Sequence, residues 1–176
     1  MTDFLLPRII GSHRATVSGG PLVILLGGVH GNELAGVAAL QELADRLAHA
    51  PELRAALPPH LSLLALRGNT AALARGVRYI DQDLNRLWFD EHIDEWQTHS
   101  AEQPSEAEEL LDILKIVHET VAATDPTQII FIDLHTTTAS GGCFWLCDES
   151  PANLGIARAT GLPLIRGLTH GLRGTT

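Results

Sequence analysis

The sequence contains few sulfur-containing residues and few aromatic residues, and this shortage already restricts the class of protein. Of 176 residues, two are cysteine and one is methionine, and aromatic residues make up 5%. On an extended strand Cys143 and Cys147 would lie about 13 Å apart, which is too far for a disulfide bond. We therefore expect two buried thiols and a reducing, cytoplasmic environment.

Positive charge is also scarce. The chain has 12 Lys and Arg against 21 Asp and Glu, which gives a formal net charge of −9. Nucleic acids and anionic membrane surfaces both attract clustered basic residues, so neither is expected as a partner. No apolar run reaches the roughly 18 residues of a membrane-spanning helix, and the N-terminus lacks the pattern of a secretory signal. With 45% hydrophobic residues, residues 1–176 are expected to form one domain.

Apolar runs that suit strands alternate with segments of helical periodicity. Strands are predicted at 4–17, 22–26, 61–66, 128–134, 143–147 and 162–165, and helices at 33–48, 105–123 and 151–160. Residues 67–91 are predicted to be irregular, and Ser105 is predicted to cap its helix in a capping box with Glu108. The alternation predicts an α/β fold, with a mixed, largely parallel sheet flanked by helices. Binding sites of such sheets lie at the carboxyl ends of the strands.

One histidine and one glutamate stand where such a site would form. The pattern His-x-x-Glu occurs four times, at His30, His49, His92 and His99. Of these only His30 follows a buried apolar strand, and only its partner Glu33 opens a helix. The glycines around His30 allow the backbone to approach a ligand closely.

His135 follows the strand 128–134 as His30 follows 22–26. If those strands are neighbours, His30, Glu33 and His135 meet at one edge of the sheet. Two imidazoles and one carboxylate with an open fourth position form a catalytic zinc set. Asp133 would lie on the same side of its strand as His135, where it either orients a metal ligand or only caps the end of the strand. The alternative is a pair of strand-end histidines held only by hydrogen bonds.

The segment RYIDQDLNR, residues 78–86, is polar and contains two arginines; we call it the arginine loop. Arginine binds carboxylates in a bidentate manner and asparagine adds a directional amide, which suits a small anionic substrate. The alternative is a surface loop in which the arginines pair with Asp81 and Asp83.

Three motifs in order, GGVHGNE, RYIDQDLNR and DLHTTT, resemble the succinylglutamate desuccinylase and aspartoacylase family, a branch of the zinc carboxypeptidase superfamily. The resemblance extends from about Leu22 to Thr138, with weaker likeness to the end of the chain, and implies a zinc-carboxypeptidase-like fold. It implies one zinc ion, held by His30, Glu33 and His135. It also implies a hydrolase that cleaves the amide bond of N-acyl amino acids.

The same resemblance assigns substrate residues in the arginine loop and near the end of the chain. It implies that Asn85 and Arg86 bind the amino-acid carboxylate, whereas Arg78 lies near the scissile carbonyl. Arg173 matches a further substrate arginine of the family. The expected substrate is therefore a small anionic N-acyl amino acid.

The general base of the family is a Glu on a later strand, and the only acidic residues after His135 are Asp148 and Glu149. We expect this base and a C-terminal β-rich domain to lie beyond Thr176, in a longer enzyme. The chain alone should then keep the zinc site, be nearly inactive and self-associate through an apolar sheet edge. The alternative is a natural short homologue with altered function.

The sequence therefore leaves three functions open. The first is a zinc amidohydrolase acting on N-acyl amino acids, which the sequence of the segment RYIDQDLNR favours. The second is a zinc carboxypeptidase acting on peptides. The third is a metal-binding module without catalysis.

Overall fold

The computed structural model of the chain describes residues 6–89, 93, 94, 96, 103–137 and 141–166. The chain forms two compact units, which divide between Thr136 and Thr137. Among the described residues, no helix combines the length and the apolar character needed to cross a membrane.

Strands and helices alternate in the first unit. In chain order, the elements whose bounds the structure describes are β1 (Ile9–His13), β2 (Pro21–Gly27), α1 (Leu34–His49), α2 (Pro51–Ala56), β3 (Ser62–Arg67), α3 (Thr70–Arg75), α4 (Ser105–Thr124) and β4 (Gln128–Leu134). A single turn of 3₁₀ helix, Leu84–Arg86, lies in the arginine loop.

The four strands form one sheet in the order β1-β3-β2-β4. β2 pairs in parallel with both β3 and β4, whereas β1 runs antiparallel to β3. The sheet is thus mixed and largely parallel, with helices packed against it, which confirms the predicted fold class. β2 has a strand on each side, which explains why its sequence is a continuous apolar run.

The core lies between the sheet and α4. Leu22, Ile24 and Leu26 of β2 are fully buried, as are Leu110 and Ile113 of α4. Each such side chain stabilises the fold by about 1.5–3 kcal/mol. Side chains of a strand alternate between its two faces, and α1 packs against β1 and β2 from the other face. The sheet is therefore held between α1 and α4.

Two short helices were not expected from the sequence pattern. α2 begins with Pro51, which suits the first position of a helix. α3 interrupts the segment 67–91, so the prediction that this segment is wholly irregular is wrong. Asn69 caps α3, because its side chain accepts a hydrogen bond from the amide of Ala72.

The predicted capping box of α4 is also wrong. The residue before the helix is Pro104, and Ser105 is already helical, so its hydroxyl does not act as the cap. The carboxylate of Asp81, in the arginine loop, accepts a hydrogen bond from the Ser105 amide at 2.8 Å instead. The start of α4 is therefore tied to the arginine loop.

The described part of the second unit, residues 137 and 141–166, contains a small parallel pair of strands and one helix. Its elements are β5 (Trp145–Leu146), α5 (Pro151–Ala159) and β6 (Leu164–Ile165). Cys143 and Cys147 are both free thiols, as expected. Cys143 is exposed, however, so the expectation of two buried thiols is wrong, because β5 is only two residues long and Cys143 precedes it.

Candidate metal centre

The centre forms where β2 and β4 end. The two strands are neighbours, and Gly27 pairs with Leu134 in the register between them. The turn after β2 passes through Gly28, whose φ of 77° lies in the left-handed region that favours glycine. His30 and His135 follow these strand ends, and their ring centroids lie 5.1 Å apart.

Glu33 lies between the two imidazole rings. Its Oε1 atom is 2.7 Å from Nδ1 of His30, and its Oε2 atom is 3.2 Å from Nδ1 of His135. Oε2 also accepts a hydrogen bond from the backbone amide of Thr136 at 2.6 Å. Within the described part of the chain, one ligand atom from each of His30, Glu33 and His135 lies within 4.8 Å of the others. His30 and Glu33 are buried.

Each imidazole turns its other nitrogen toward an aspartate. Nε2 of His30 lies 2.9 Å from Oδ1 of Asp83, and Nε2 of His135 lies 2.7 Å from Oδ2 of Asp133. Histidines that bind a metal commonly have such a carboxylate on the second nitrogen, which fixes the ring and its tautomer. The donor set, with both Nδ1 atoms beside one carboxylate, therefore suits a divalent metal ion.

The carboxyl groups of Glu33 and Asp83, which contact the imidazole rings, have lowered pKa values. Burial raises the pKa of Glu33, but the Thr136 amide and the two imidazoles outweigh it and leave the pKa below its ordinary value. Burial likewise raises the pKa of Asp83, and the hydrogen bonds from His30 and Arg78 bring it below the ordinary value. Both carboxyl groups are therefore ionised at neutral pH.

The pKa of His135 shifts in the opposite direction to the pKa values of Glu33 and Asp83. Burial lowers its pKa, but the neighbouring carboxylates of Asp133 and Glu33 raise it above the ordinary histidine value. The environment thus stabilises a positive charge at this ring. A metal cation at the centre would be stabilised by the same carboxylates.

The arginine loop brings one of its predicted residues to the centre. Nη2 of Arg78 donates to Asp83 at 3.0 Å, and Nη1 lies 3.9 Å from Oε1 of Glu33. Arg78 thus pairs with a loop carboxylate, as the alternative interpretation of the loop expected, but that carboxylate also contacts His30. Asn85 is buried and its amide donates to Asp83 at 3.0 Å, whereas Arg86 is exposed and donates to the Asn85 carbonyl at 3.2 Å.

The remaining predicted residues lie elsewhere in the chain. Arg173 and the end of the chain at Thr176 lie outside the described residues. Asp148 and Glu149 belong to the second unit, where Asp148 accepts a hydrogen bond from the Ser150 amide at 2.8 Å. Glu149 forms an ion pair with Arg166 at 2.6 Å.

Sequence reasoning missed the contact between Asp83 and His30. These residues are 53 positions apart, and no local spacing links them. The side chain of Asp83 accepts a hydrogen bond from the Asn85 amide and caps the 3₁₀ turn. The local pattern therefore suggests only a turn cap. In the fold, the same oxygen, Oδ1, also contacts His30, and Oδ2 accepts a hydrogen bond from Arg78.

Replacing Asp133 with asparagine should weaken zinc binding by about 10–100-fold, because the carboxylate that orients His135 is lost. Competition with a chromophoric chelator measures this affinity. Asp112→Asn is the matched control, since Asp112 lies on α4, is half exposed and pairs with Arg8, away from the centre. Equal zinc affinity in the Asp133 variant and the wild type would show that Asp133 does not support the metal centre.

Comparison with known proteins gives the context of this centre. Residues 19–171 match the family model of the succinylglutamate desuccinylase/aspartoacylase catalytic domain. A probable aspartoacylase from Acaryochloris marina is 29% identical over 136 residues, which cover 77% of the chain and 41% of that relative. A succinylglutamate desuccinylase from Pseudomonas syringae pv. tomato is 41% identical over 73 residues, which cover 42% of the chain and 20% of the relative. The chain thus spans less than half the length of these relatives.

Solved structures agree with this match. The succinylglutamate desuccinylase from Chromobacterium violaceum superposes with a TM-score of 0.51 at 28% identity, over 67% of this chain and 34% of that one. The enzyme of the same name from Vibrio cholerae gives a TM-score of 0.53 at 23% identity, over 69% and 32%, and shows the shared fold. Because the family model matches residues 19–171, which are most of this chain, the chain belongs to the succinylglutamate desuccinylase/aspartoacylase family.

Proposed function

We propose that the chain carries the metal centre of a zinc-dependent hydrolase that cleaves the amide bond of small anionic N-acyl amino acids. The observation that carries this proposal is the convergence of His30, Glu33 and His135, with an aspartate behind each imidazole. The names of the relatives supply the substrate class, because succinylglutamate and N-acylaspartate are both N-acyl amino acids.

The metal would be held by Nδ1 of His30, Nδ1 of His135 and the carboxylate of Glu33. Two nitrogens and one carboxylate leave a fourth position open, which is the ligand set of catalytic zinc. When bound, such an ion supplies Lewis-acid chemistry, polarising a carbonyl and lowering the pKa of a water molecule. The protein keeps both rings in place through Asp83 and Asp133.

Arg78 is the residue of the chain that we place next to the reacting carbonyl. Its guanidinium lies beside Glu33, and its side chain is 48% exposed, so it can donate to a ligand. A cation fixed where negative charge develops on an oxygen lowers the energy of the transition state. Asn85 and Arg86, at the end of the same loop, would bind the carboxylate of the amino acid.

The proposed substrate class is tested by amine release from N-succinylglutamate, N-acetylaspartate and a panel of peptides. The assay uses the natural gene product that contains these 176 residues, loaded with zinc or stripped of it. We expect release from the N-acyl amino acids that disappears without zinc. Preferred release from peptides would support a carboxypeptidase instead. Zinc binding with no release from any substrate would support a metal-binding module.

Replacing Arg78 with alanine should weaken binding of an N-acyl amino acid to the zinc-loaded chain by about 10–100-fold. The reason is that a hydrogen bond from a charged group contributes about 1.5–3 kcal/mol, and about 1.4 kcal/mol is tenfold in affinity. Isothermal titration measures the change. Arg46→Ala is the control, because Arg46 forms an exposed pair with Glu42 on α1. Unchanged affinity in the Arg78 variant would exclude Arg78 as a substrate ligand.

A further inference from the structure

A second buried carboxylate, Glu106, lies in the first turn of α4 and makes no contact with the three candidate metal ligands. Glu106 is fully buried. Its two oxygens accept four hydrogen bonds, one of them from the side chain of Asn69 at 3.0 Å. A buried carboxylate needs such donors to offset the loss of water. What distinguishes Glu106 is the identity of the other three donors.

Three successive backbone amides of the arginine loop point at Glu106. The amides of Ile80, Asp81 and Gln82 donate to it at 2.6, 3.1 and 3.0 Å. Consecutive amides that converge in this way form a concave anion site, and here the anion is a side chain of the protein. The reverse contact, from the Ser105 amide to the Asp81 carboxylate, closes the connection. We call this set of hydrogen bonds the Glu106 clasp.

The clasp fixes the part of the arginine loop that lies between the two loop residues at the candidate metal centre. Arg78 lies on one side of it and Asp83 on the other. The carbonyl of Arg78 accepts a hydrogen bond from the Gly31 amide at 3.1 Å, and Asp83 contacts His30. The loop is therefore fixed at three points, and Glu106 supplies the central one.

We propose that Glu106 is a positioning residue, which fixes the arginine loop so that Arg78 and Asp83 face the metal centre. This role rests on the proposed function, since Arg78 is the proposed substrate ligand. Glu106 acts only through the loop backbone. Its loss should therefore impair ligand binding while His30, Glu33 and His135 still bind the metal.

Glu109, one turn later on α4, provides a matched control. It is also buried, but it accepts hydrogen bonds from the Thr70 hydroxyl at 2.9 Å and the Ala71 amide at 2.8 Å, and it pairs with Arg8. Its partners thus belong to the start of α3 and to the segment before β1. A purely structural effect of losing a buried carboxylate from α4 should appear equally in Glu106→Gln and Glu109→Gln.

The test compares Glu106→Gln, Glu109→Gln and the wild type well below their unfolding temperatures. Glutamine places an NH₂ group against amide donors, so two hydrogen bonds of the clasp are lost. We expect hydrogen exchange of amides 80–82 to accelerate at least about tenfold in Glu106→Gln alone. Affinity of the zinc-loaded chain for N-succinylglutamate or N-acetylaspartate should fall about tenfold or more. Zinc should still bind at one ion per chain in both variants.

The outcomes separate the clasp from the proposed function. Equal exchange and equal affinity in the two variants would overturn the positioning role of Glu106. Faster exchange without weaker ligand binding would also overturn it. If the wild type binds neither N-acyl amino acid, the proposed function fails, while the exchange of amides 80–82 still decides whether the clasp exists. If Glu106→Gln does not fold, Asp81→Ala removes the exposed reverse contact and should accelerate the same amides.

Discussion

Replacing His135 with alanine should abolish stoichiometric zinc binding by the chain. Among the described residues, His135 provides one of the two imidazoles that converge at the centre, and its Nδ1 atom lies beside the Glu33 carboxylate. Loss of a carboxylate that orients a metal-binding imidazole lowers metal affinity by about 10–100-fold. Loss of the imidazole itself should lower it by more than about 100-fold. Equilibrium dialysis followed by elemental analysis measures the bound zinc.

His49→Ala is the control for this experiment. His49 belongs to a second His-x-x-Glu pair, with Glu52, but it lies at the exposed end of α1 and bonds to the Asp45 carbonyl at 2.9 Å. The His49→Ala variant should therefore bind as much zinc as the wild type. Equal zinc content in the His135 variant and the His49 variant would place the metal elsewhere.

Replacing Gly31 with alanine should strongly destabilise the first unit. A Cβ atom at this position would lie 2.1 Å from the carbonyl carbon of Ala72 and 2.4 Å from the amide nitrogen of Leu73. Both are backbone atoms at α3, so the backbone itself must move. Overpacking of this kind costs about 1–3 kcal/mol or more. Because Gly31 follows His30 and bonds to Arg78, zinc binding should weaken as well.

Denaturant unfolding with and without zinc measures both effects. Gly155→Ala is the control, because a Cβ atom there meets nothing within 4 Å and the residue lies inside α5. Alanine in a helix interior is about 0.5–1 kcal/mol more favourable than glycine, so this variant should not lose stability. A Gly31 variant with an unchanged unfolding midpoint would show that the loop after β2 and α3 are not packed as described.

The two central strands of the site follow from local pattern and were predicted well, whereas the strands predicted at 4–17 and 143–147 are shorter, at Ile9–His13 and Trp145–Leu146. β4 matches its predicted bounds, and β2 extends its prediction by one residue at each end, because each strand is built on a short, mainly apolar run. Adjacent parallel strands end at the same edge of a sheet, and this places His30 and His135 together. Asp133 follows from the alternation of side chains along a strand.

The parts that depend on distant contacts could not be predicted. Asp83 lies within a loop that has no periodicity, and its contact with His30 exists only because the arginine loop folds back over the end of β2. Glu106 gives the sequence signal of an ordinary acidic residue in the first turn of a helix. Its partners in the loop are 24–26 positions away, and backbone amides leave no mark in the sequence.

Anomalous scattering at the zinc edge, from crystals of the zinc-loaded chain, tests the central claim most directly. The account predicts one strong peak, at about 2.0–2.2 Å from Nδ1 of His30, Nδ1 of His135 and a carboxylate oxygen of Glu33. The Nε2 atoms of both rings should remain beside Asp83 and Asp133. A peak bound by other residues, or stoichiometric zinc with no peak between these three side chains, would contradict it.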